Sequence, residues 1–405
     1  METTPALAGL DCVDCEATHD PATTPGRCPD CGGILVPDYD FDAVDVSRDA
    51  LADARFDGIG RYGDLLPLQA ETLPNAGEGA TPLTPCPEFA DELGVGAVYV
   101  KDEGANPTGT TADRGAALAV GSARELGADA VALPTTGDAG QSVAAYATRA
   151  GLESEAFVPT RSTFVAKAMT NVHGGEMSVA GGRYPDAIEA FESAMIERTG
   201  EDETDDATTW HSLAPFDQPY RHEGAKTLLL EVFEQLDWET PEAVVHPTGH
   251  GLGVVGSHLA AEQASALGLV EETPALHVAQ PEACAPVVAA DDRGADETDL
   301  WDQPDTLVGA LEVPDPSGGA LALDAVRETG GWAVGASDDD ALEPAVALAG
   351  EGVEMSATGG VGAAAAQRLA AEGHFEPDDT VVLVNPVAGN KENDVLRSHL
   401  MRKGV

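Results

Sequence analysis

Apolar period switches regularly along this 405-residue chain after residue 96. "GAVYVKDE" (96–103) reads as a strand, and "RGAALAVGSARELG" (114–127), apolar at spacings of three and four, as a helix. "ADAVALPTT" (128–136) and "GQSVAAYATRAG" (140–151) repeat the pair, the helix ending at Gly151. Strand "SEAFVP" (154–159), helix "STFVAKAMTNVHG" (162–174), strand "EMSVAG" (176–181) and helix "YPDAIEAFESAMIERTG" (184–200) follow. Strands that alternate with helices predict parallel sheets with helices on both faces.

The acidic segment "EDETDDATT" (201–209) reads as a loop, and a second series begins after it. It runs helix "EGAKTLLLEVFEQLD" (223–237), strand "EAVVHP" (242–247), glycine loop "TGHGLGVVG" (248–256), helix "SHLAAEQASALG" (257–268) and strand "PALHVAQ" (274–280). Beyond an Asp/Pro-rich stretch (291–318) come helix 320–331, strand 332–337, helices 338–352 and 359–373, and strand "TVVLVNP" (380–386). The expected class is α/β with two doubly wound parallel-sheet domains, and two such halves joined near 210 suggest a ligand-binding cleft between them. The expected boundaries are 1–45 for a small N-terminal module and linker, 46–104 with 211–405 for a large α/β domain, and 105–210 for a small one. Residues 32 to 80 read as a linker leading into a short helix at 47–55.

Charge narrows the function classes. Asp and Glu number 71 against 21 Lys and Arg, a net charge of −50, and only five residues are lysine. The carboxylates are spread along the chain rather than gathered in a tail. That pattern suits a very salty cytoplasm, where ions screen the self-repulsion of the compact state. It argues against a nucleic-acid partner, which needs a basic patch. No apolar run is long enough to span a bilayer, and the N-terminus lacks the basic and apolar regions of a signal peptide.

Four of the six cysteines form "CVDC" (Cys12, Cys15) and "CPDC" (Cys28, Cys31). Two such pairs twelve residues apart match a zinc ribbon, with four thiolates around one tetrahedral Zn²⁺ and no open coordination position. The glycines of "CPDCGG" let backbone amides turn back toward sulfur. Two disulfides would need an oxidising compartment. Cys86 and Cys284 are isolated and read as core residues.

"VVHPTGHGLGVVG" reads as strand, glycine loop and helix. N–H groups at such a helix start, aided by the helix dipole, form an anion site for a phosphate. The loop also carries G-x-G-x-x-G (Gly251, Gly253, Gly256), the dinucleotide fingerprint. That fingerprint requires an acid at the end of the next strand; Glu271 and Glu272 precede that strand, which favours a phosphate over a nicotinamide.

The ribbon is followed in order by "GEGATPLTP" (77–85), "YVKDEGANPTGTTADRG", "PTTGDAGQSVAAYATRAG", "NVHGGEM", "YRHEGAKT", "HPTGHGLG" and "VNPVAGNKENDVLRSHL". Together these resemble a threonine synthase of the haloarchaeal type, within the fold type II family of pyridoxal-phosphate (PLP) enzymes, whose fold is of the tryptophan synthase β kind. The resemblance implies a PLP-dependent lyase of amino-acid metabolism. It also implies a Schiff-base lysine in "NPTGSFKDRG", an asparagine in "STGN" against the cofactor's 3′ oxygen, and a threonine in "NTGAGNK" facing the pyridine nitrogen.

Each of those three positions departs from the pattern. Ala112 stands where the lysine should be. The asparagine loop reads Thr135-Thr136-Gly137-Asp138, so Asp138 sets a carboxylate against a phenolate. Pro386 takes the place of the threonine. The phosphate loop (Thr248, Gly249, His250, Gly251, Leu252, Gly253) is largely kept, with His250 where glycine is usual. Lys101, Lys167, Lys226, Lys391 and Lys403 offer no evident substitute for the missing amine.

The expected function is a non-catalytic or regulatory relative. It would keep a cleft for a small anionic or phosphorylated metabolite, and act as a homodimer or with an active paralogue. The cofactor expectation is structural zinc, with PLP not held as an ordinary Schiff base. The alternatives are an active lyase converting O-phosphohomoserine to threonine, or a related β/γ-replacement, and a nucleotide-binding protein using the 249–256 loop.

Overall fold

The computed structural model describes residues 1–44, 46–198 and 208–404, so all but the last two residues of the acidic segment 201–209 lie outside the described residues. The chain divides into two compact units, 1–79 with 112–227, and 80–111 with 228–405.

In chain order the first unit opens with β1 (Leu7–Cys12), β2 (Thr18–His19), β3 (Leu35–Tyr39) and α1 (Arg48–Asp53). The second unit then takes β4 (Leu83–Pro85), α2 (Pro87–Leu93) and β5 (Ala97–Asp102). The chain returns to the first unit for α3 (Ala112–Glu125), β6 (Ala130–Pro134), α4 (Asp138–Ala150), β7 (Glu153–Pro159) and α5 (Phe164–Val172). β8 (Glu176–Ala180), α6 (Tyr184–Arg198) and β9 (Trp210–Ser212) complete its strands, and α7 (Tyr220–Gln235) carries the chain out of it. The rest belongs to the second unit: β10 (Ala243–Pro247), α8 (Leu252–Ala266), β11 (Ala275–Pro281), α9 (Pro286–Asp292), α10 (Gly319–Glu328), β12 (Ala333–Ala336), α11 (Asp338–Gly350), α12 (Ala357–Glu372), β13 (Thr380–Asn385) and α13 (Asn393–Arg402).

The first unit holds a four-stranded sheet, β8-β7-β6-β9, parallel throughout. Every residue of β6, "AVALP", is buried, which is why that strand reads as an unbroken apolar run rather than an alternating one. The second unit holds a six-stranded sheet, β12-β11-β10-β13-β5-β4, parallel except for β4. Its core joins strand residues Val98, Val245, Val381 and Leu383 to the alanine-rich face of α12, whose small side chains let the helix lie close to the sheet. Ser356 caps α12, and Gly373, left-handed at φ 78°, ends it.

Several expectations are corrected. The stretch after residue 32 is not all linker, because β3 pairs antiparallel with β1, Cys12 lying opposite Leu35 and Leu7 opposite Tyr39. Residues 46–79 group with the first unit rather than with the larger sheet. There Thr4 donates to the Leu66 carbonyl at 2.6 Å, Arg124 to that of Thr72 at 2.7 Å, and Tyr146 to Glu78 at 2.9 Å. The helix after the glycine loop starts at Leu252, not 257, since only Gly251 needs a turn conformation (φ 99°). Strands β4 and β9, three residues each, and helix α13 carry too little periodicity to be read from the sequence.

Candidate functional site

In the second unit, β10 lies between β11 and β13 and delivers the chain to the glycine loop. Thr248 is fixed there: its N–H donates to the Ala279 carbonyl (2.9 Å), its hydroxyl to the His246 carbonyl (2.7 Å), and its own carbonyl accepts from Gln280 Nε2 (3.2 Å). The first hydrogen bond of α8 runs from Val255 N–H to the Gly251 carbonyl at 3.0 Å. The N–H groups of Leu252, Gly253 and Val254 precede it and have no intrahelical partner. N–H groups placed in this way can bind an anion such as phosphate. A Cβ on Gly251 would meet the Gly318 carbonyl oxygen at 3.1 Å, and one on Gly249 would meet Val313 Cγ2 at 3.2 Å. His250, at the position where the resembled family has glycine, is accommodated by turning toward the neighbouring loop. Its Nδ1 accepts from the Ser317 N–H at 3.3 Å, and its carbonyl accepts from the Gly318 N–H at 3.1 Å.

His246, at the end of β10, is buried, and its Nε2 has no hydrogen-bond partner among the described residues. Burial, aided by the charge of His277, pushes its pKa down to about 3, so the ring is neutral. The acid that closes β11 is Glu282, not Glu271 or Glu272, and it faces Arg368 at 3.5 Å.

Two altered segments that are far apart in sequence meet in this unit. Thr110 bridges Val387, the Thr111 N–H donates to the Pro386 carbonyl at 2.8 Å, and the Ala388 N–H donates to that of Gly109 at 2.9 Å. Asn106 holds the turn, donating to Glu103 Oε2 at 2.8 Å, while Thr81 donates to the other Glu103 oxygen at 2.6 Å. Lys391 is buried, and its Cε would stand 3.3 Å from a Cβ on Gly109.

In the first unit, Ala112 is the first residue of α3, the place where the resembled family carries its lysine. The helix start is held tightly behind it. A Cβ on Gly115 would lie 2.7 Å from the Arg221 carbonyl oxygen, and the fully buried Arg114 donates to Thr227 Oγ1 at 3.0 Å. Thr135 Oγ1 accepts from the Gly137 N–H (3.0 Å), and Ser162 donates to the Thr136 carbonyl (2.6 Å). Gly137 has φ 147°, a value only glycine adopts readily. Asp138 is the first residue of α4, where the helix dipole favours a carboxylate, so it has a structural reason to be acidic. Arg221, within "YRHEGAKT", is not marked by any pattern in the sequence. This arginine is 5% exposed and donates to the Leu213 carbonyl at 2.9 Å, and burial pulls its pKa down to about 10.

The four cysteines also lie in the first unit. All four sulfurs are within 4.8 Å of one another, with Cys12–Cys31 at 3.4 Å and Cys15–Cys28 at 3.7 Å. A tetrahedron of thiolates around zinc has edges of about 3.8 Å. Gly33 N–H donates to Cys31 Sγ at 3.4 Å, and His19 Nε2 lies 3.3 Å from Cys28 Sγ. Cys86 and Cys284 are buried in the second unit.

Against PLP the residues divide. The α8 start fits the phosphate group, with three N–H donors on a helix end. The α3 start does not fit the cofactor's covalent attachment, since Ala112 has no amine, and Pro386 has no hydroxyl for the ring nitrogen. Among the described residues no helix is long and apolar enough to cross a membrane.

Residues 75–386 match the family model described as "Pyridoxal-phosphate dependent enzyme". The chain is 29% identical to the threonine synthase of Methanocaldococcus jannaschii, over 95% of this chain and 93% of that one. It is also 29% identical to the threonine synthase of Methanosarcina acetivorans, over 93% and 90%. Among solved structures, an L-serine ammonia-lyase from Rhizomucor miehei superposes with a TM-score of 0.66 at 18% identity, covering 80% of this chain and 98% of that chain. Threonine deaminase isoform 2 from Solanum lycopersicum gives 0.65 at 19%, covering 80% and 88%. With the family model spanning most of the residues and both curated relatives matching nearly end to end, the chain belongs to the pyridoxal-phosphate-dependent enzyme family, has the fold type II architecture, and is threonine synthase-like.

Proposed function

We propose that this protein is a non-catalytic, threonine synthase-like member of the family that holds a phosphorylated metabolite or anion at the start of α8. The observation that carries the reading is the pairing of an intact helix start at Gly251–Val254 with alanine at the first residue of α3. When bound, PLP supplies an electron sink for charge at a substrate carbon. The chain's own part begins with the Leu252, Gly253 and Val254 N–H groups, which bind the phosphate. Thr248 and His250 fix the loop that presents them. At residue 112 there is no amine to attach the cofactor or to carry a proton, the two roles that losing such a lysine removes. Four thiolates hold one structural zinc. The protein works in a high-salt cytoplasm, as a homodimer or beside an active paralogue.

One observation favours the other reading, an active lyase on O-phosphohomoserine: both threonine synthases cover this chain almost completely. That reading requires a different amine, and Lys391, packed on Gly109, is the lysine nearest the altered turn in the second unit. Calorimetric titration in concentrated KCl with inorganic phosphate, PLP and O-phosphohomoserine, together with a threonine-release assay, separates the two. Saturable phosphate and PLP binding without threonine release is expected. Threonine release at a rate ordinary for an enzyme would refute the non-catalytic reading.

A further inference from the structure

The ribbon has a core of four buried residues, Leu10, Cys12, Cys28 and Leu35, two of which are proposed metal ligands. So small a core cannot hold three short strands together without the metal. The last residue of β3, Tyr39, leaves this module and enters the helical part of the first unit. Its hydroxyl donates to Glu223 Oε2 at 2.6 Å. Lys226 Nζ donates to the same oxygen at 2.6 Å and lies 4.5 Å from the centre of the Tyr39 ring. Glu223 and Lys226 are each 1% exposed, so Tyr39 closes a buried ion pair. Between them on α7 sits Gly224. A Cβ there would be 2.3 Å from the Arg114 carbonyl oxygen, so the backbone of α7 rests directly on that of α3 two residues beyond Ala112. A second tie joins the ribbon to the segment before α7, Arg27 Nε to Asp217 Oδ1 at 3.2 Å.

We propose that metal binding by the ribbon is coupled to the order of the α3 start through Tyr39, the Glu223–Lys226 pair and the Gly224–Arg114 contact. The module is then a brace for the helix start that in relatives of this family carries the cofactor's lysine. Losing the metal frees Tyr39, leaves Glu223 with one partner fewer in a buried setting, and loosens α7 against α3. The inference rests on the zinc reading.

The test is hydrogen-exchange mass spectrometry on the full chain in concentrated KCl, with metal content measured in parallel. Three forms are compared: as purified, stripped by a chelator, and Tyr39→Phe. About one zinc per chain is expected in the first and third. Stripping should speed exchange of the 112–118 and 220–227 amides about tenfold or more, and Tyr39→Phe should speed the same amides about threefold to tenfold while keeping its metal. Amides of α12 should not change in any form. If zinc is bound and stripping releases the 7–39 amides while 112–118 keep their rate, the coupling is wrong and the zinc reading stands. Equal rates in Tyr39→Phe and the unmodified protein would exclude the proposed route. Purified protein that neither carries nor takes up zinc overturns both.

Discussion

Gly224→Ala sets two opposed effects against each other. In an ordinary helix interior the change stabilises by about 0.5–1 kcal/mol, because alanine loses less backbone freedom on folding. In α7 the new Cβ would stand 2.3 Å from the Arg114 carbonyl oxygen, 2.7 Å from its carbonyl carbon and 2.8 Å from Gly115 Cα. All three are backbone atoms and cannot swing aside as the end of a flexible side chain could. Ordinary contact needs about 3.5 Å, so α3 and α7 must part by about 1 Å, a gap that forfeits a quarter to a half of the contact energy along the seam. Overpacking of this kind costs about 1–3 kcal/mol, which exceeds the gain in propensity. The net expectation is a loss of about 1–2 kcal/mol. Gly350→Ala in the last turn of α11 is the control, since no atom lies within 4 Å of its added Cβ. There the propensity gain should survive. Guanidinium unfolding at fixed high KCl, followed by exchange protection of α3, measures both. A Gly224→Ala protein as stable as the parent would refute the close-contact argument and weaken the brace built on it.

Three further outcomes follow from buried charge and from residue 112. Burial depresses His222 and His246 to about 3 and His277 to about 4, whereas the unfolded rings titrate near about 6.5. The unfolded state therefore binds more protons, so these groups leave stability intact above about pH 6.5 and remove it as pH falls toward 3. The loss is about 1.4 kcal/mol per unit for each histidine. Glu78 and Asp102, raised by burial, act in the opposite direction. Unfolding of His222→Gln against the parent at pH 7 and 5 isolates one ring, and an unchanged slope contradicts the assignment. Lys101 and Glu231 form a buried pair at 2.8 Å. Lys101→Met should cost about 3–5 kcal/mol by removing the cation that faces the buried carboxylate, and adding Glu231→Leu should recover part of it; a double mutant that recovers nothing contradicts this. Ala112→Lys alone should not create threonine synthase activity, because Asp138 and Pro386 stay as they are; full activity in that variant would show their weight was overstated.

Much of the α/β order was legible because period and turn chemistry agreed along the chain. "ADAVALPTT" and "TVVLVNP" read as strands, and Gly151 ended its helix where expected. What was not legible depends on distance. β4 is three residues long and exists only because β5 offers it an edge. β3 looked like linker because its reason for being a strand is β1, more than twenty residues earlier. In the site, the altered residues 110–112 and 386–388 were legible singly. That Thr110–Thr111 and Pro386–Val387 are hydrogen-bonded neighbours was not, nor was the histidine-to-Ser317 contact that absorbs His250. Arg221 was hidden for the same reason: its burial comes from packing, and no local pattern marks it.

In the proposed function, the phosphate end of the family's cofactor site survives while its covalent anchor is gone. Incubating the protein with PLP in concentrated KCl, reducing with borohydride and mapping lysine adducts by mass spectrometry tests it directly. The expected result is a ligand that phosphate displaces before reduction, and no stoichiometric adduct on Lys101, Lys167, Lys226, Lys391 or Lys403. Near-complete labelling of a single lysine, above all Lys391, would contradict it.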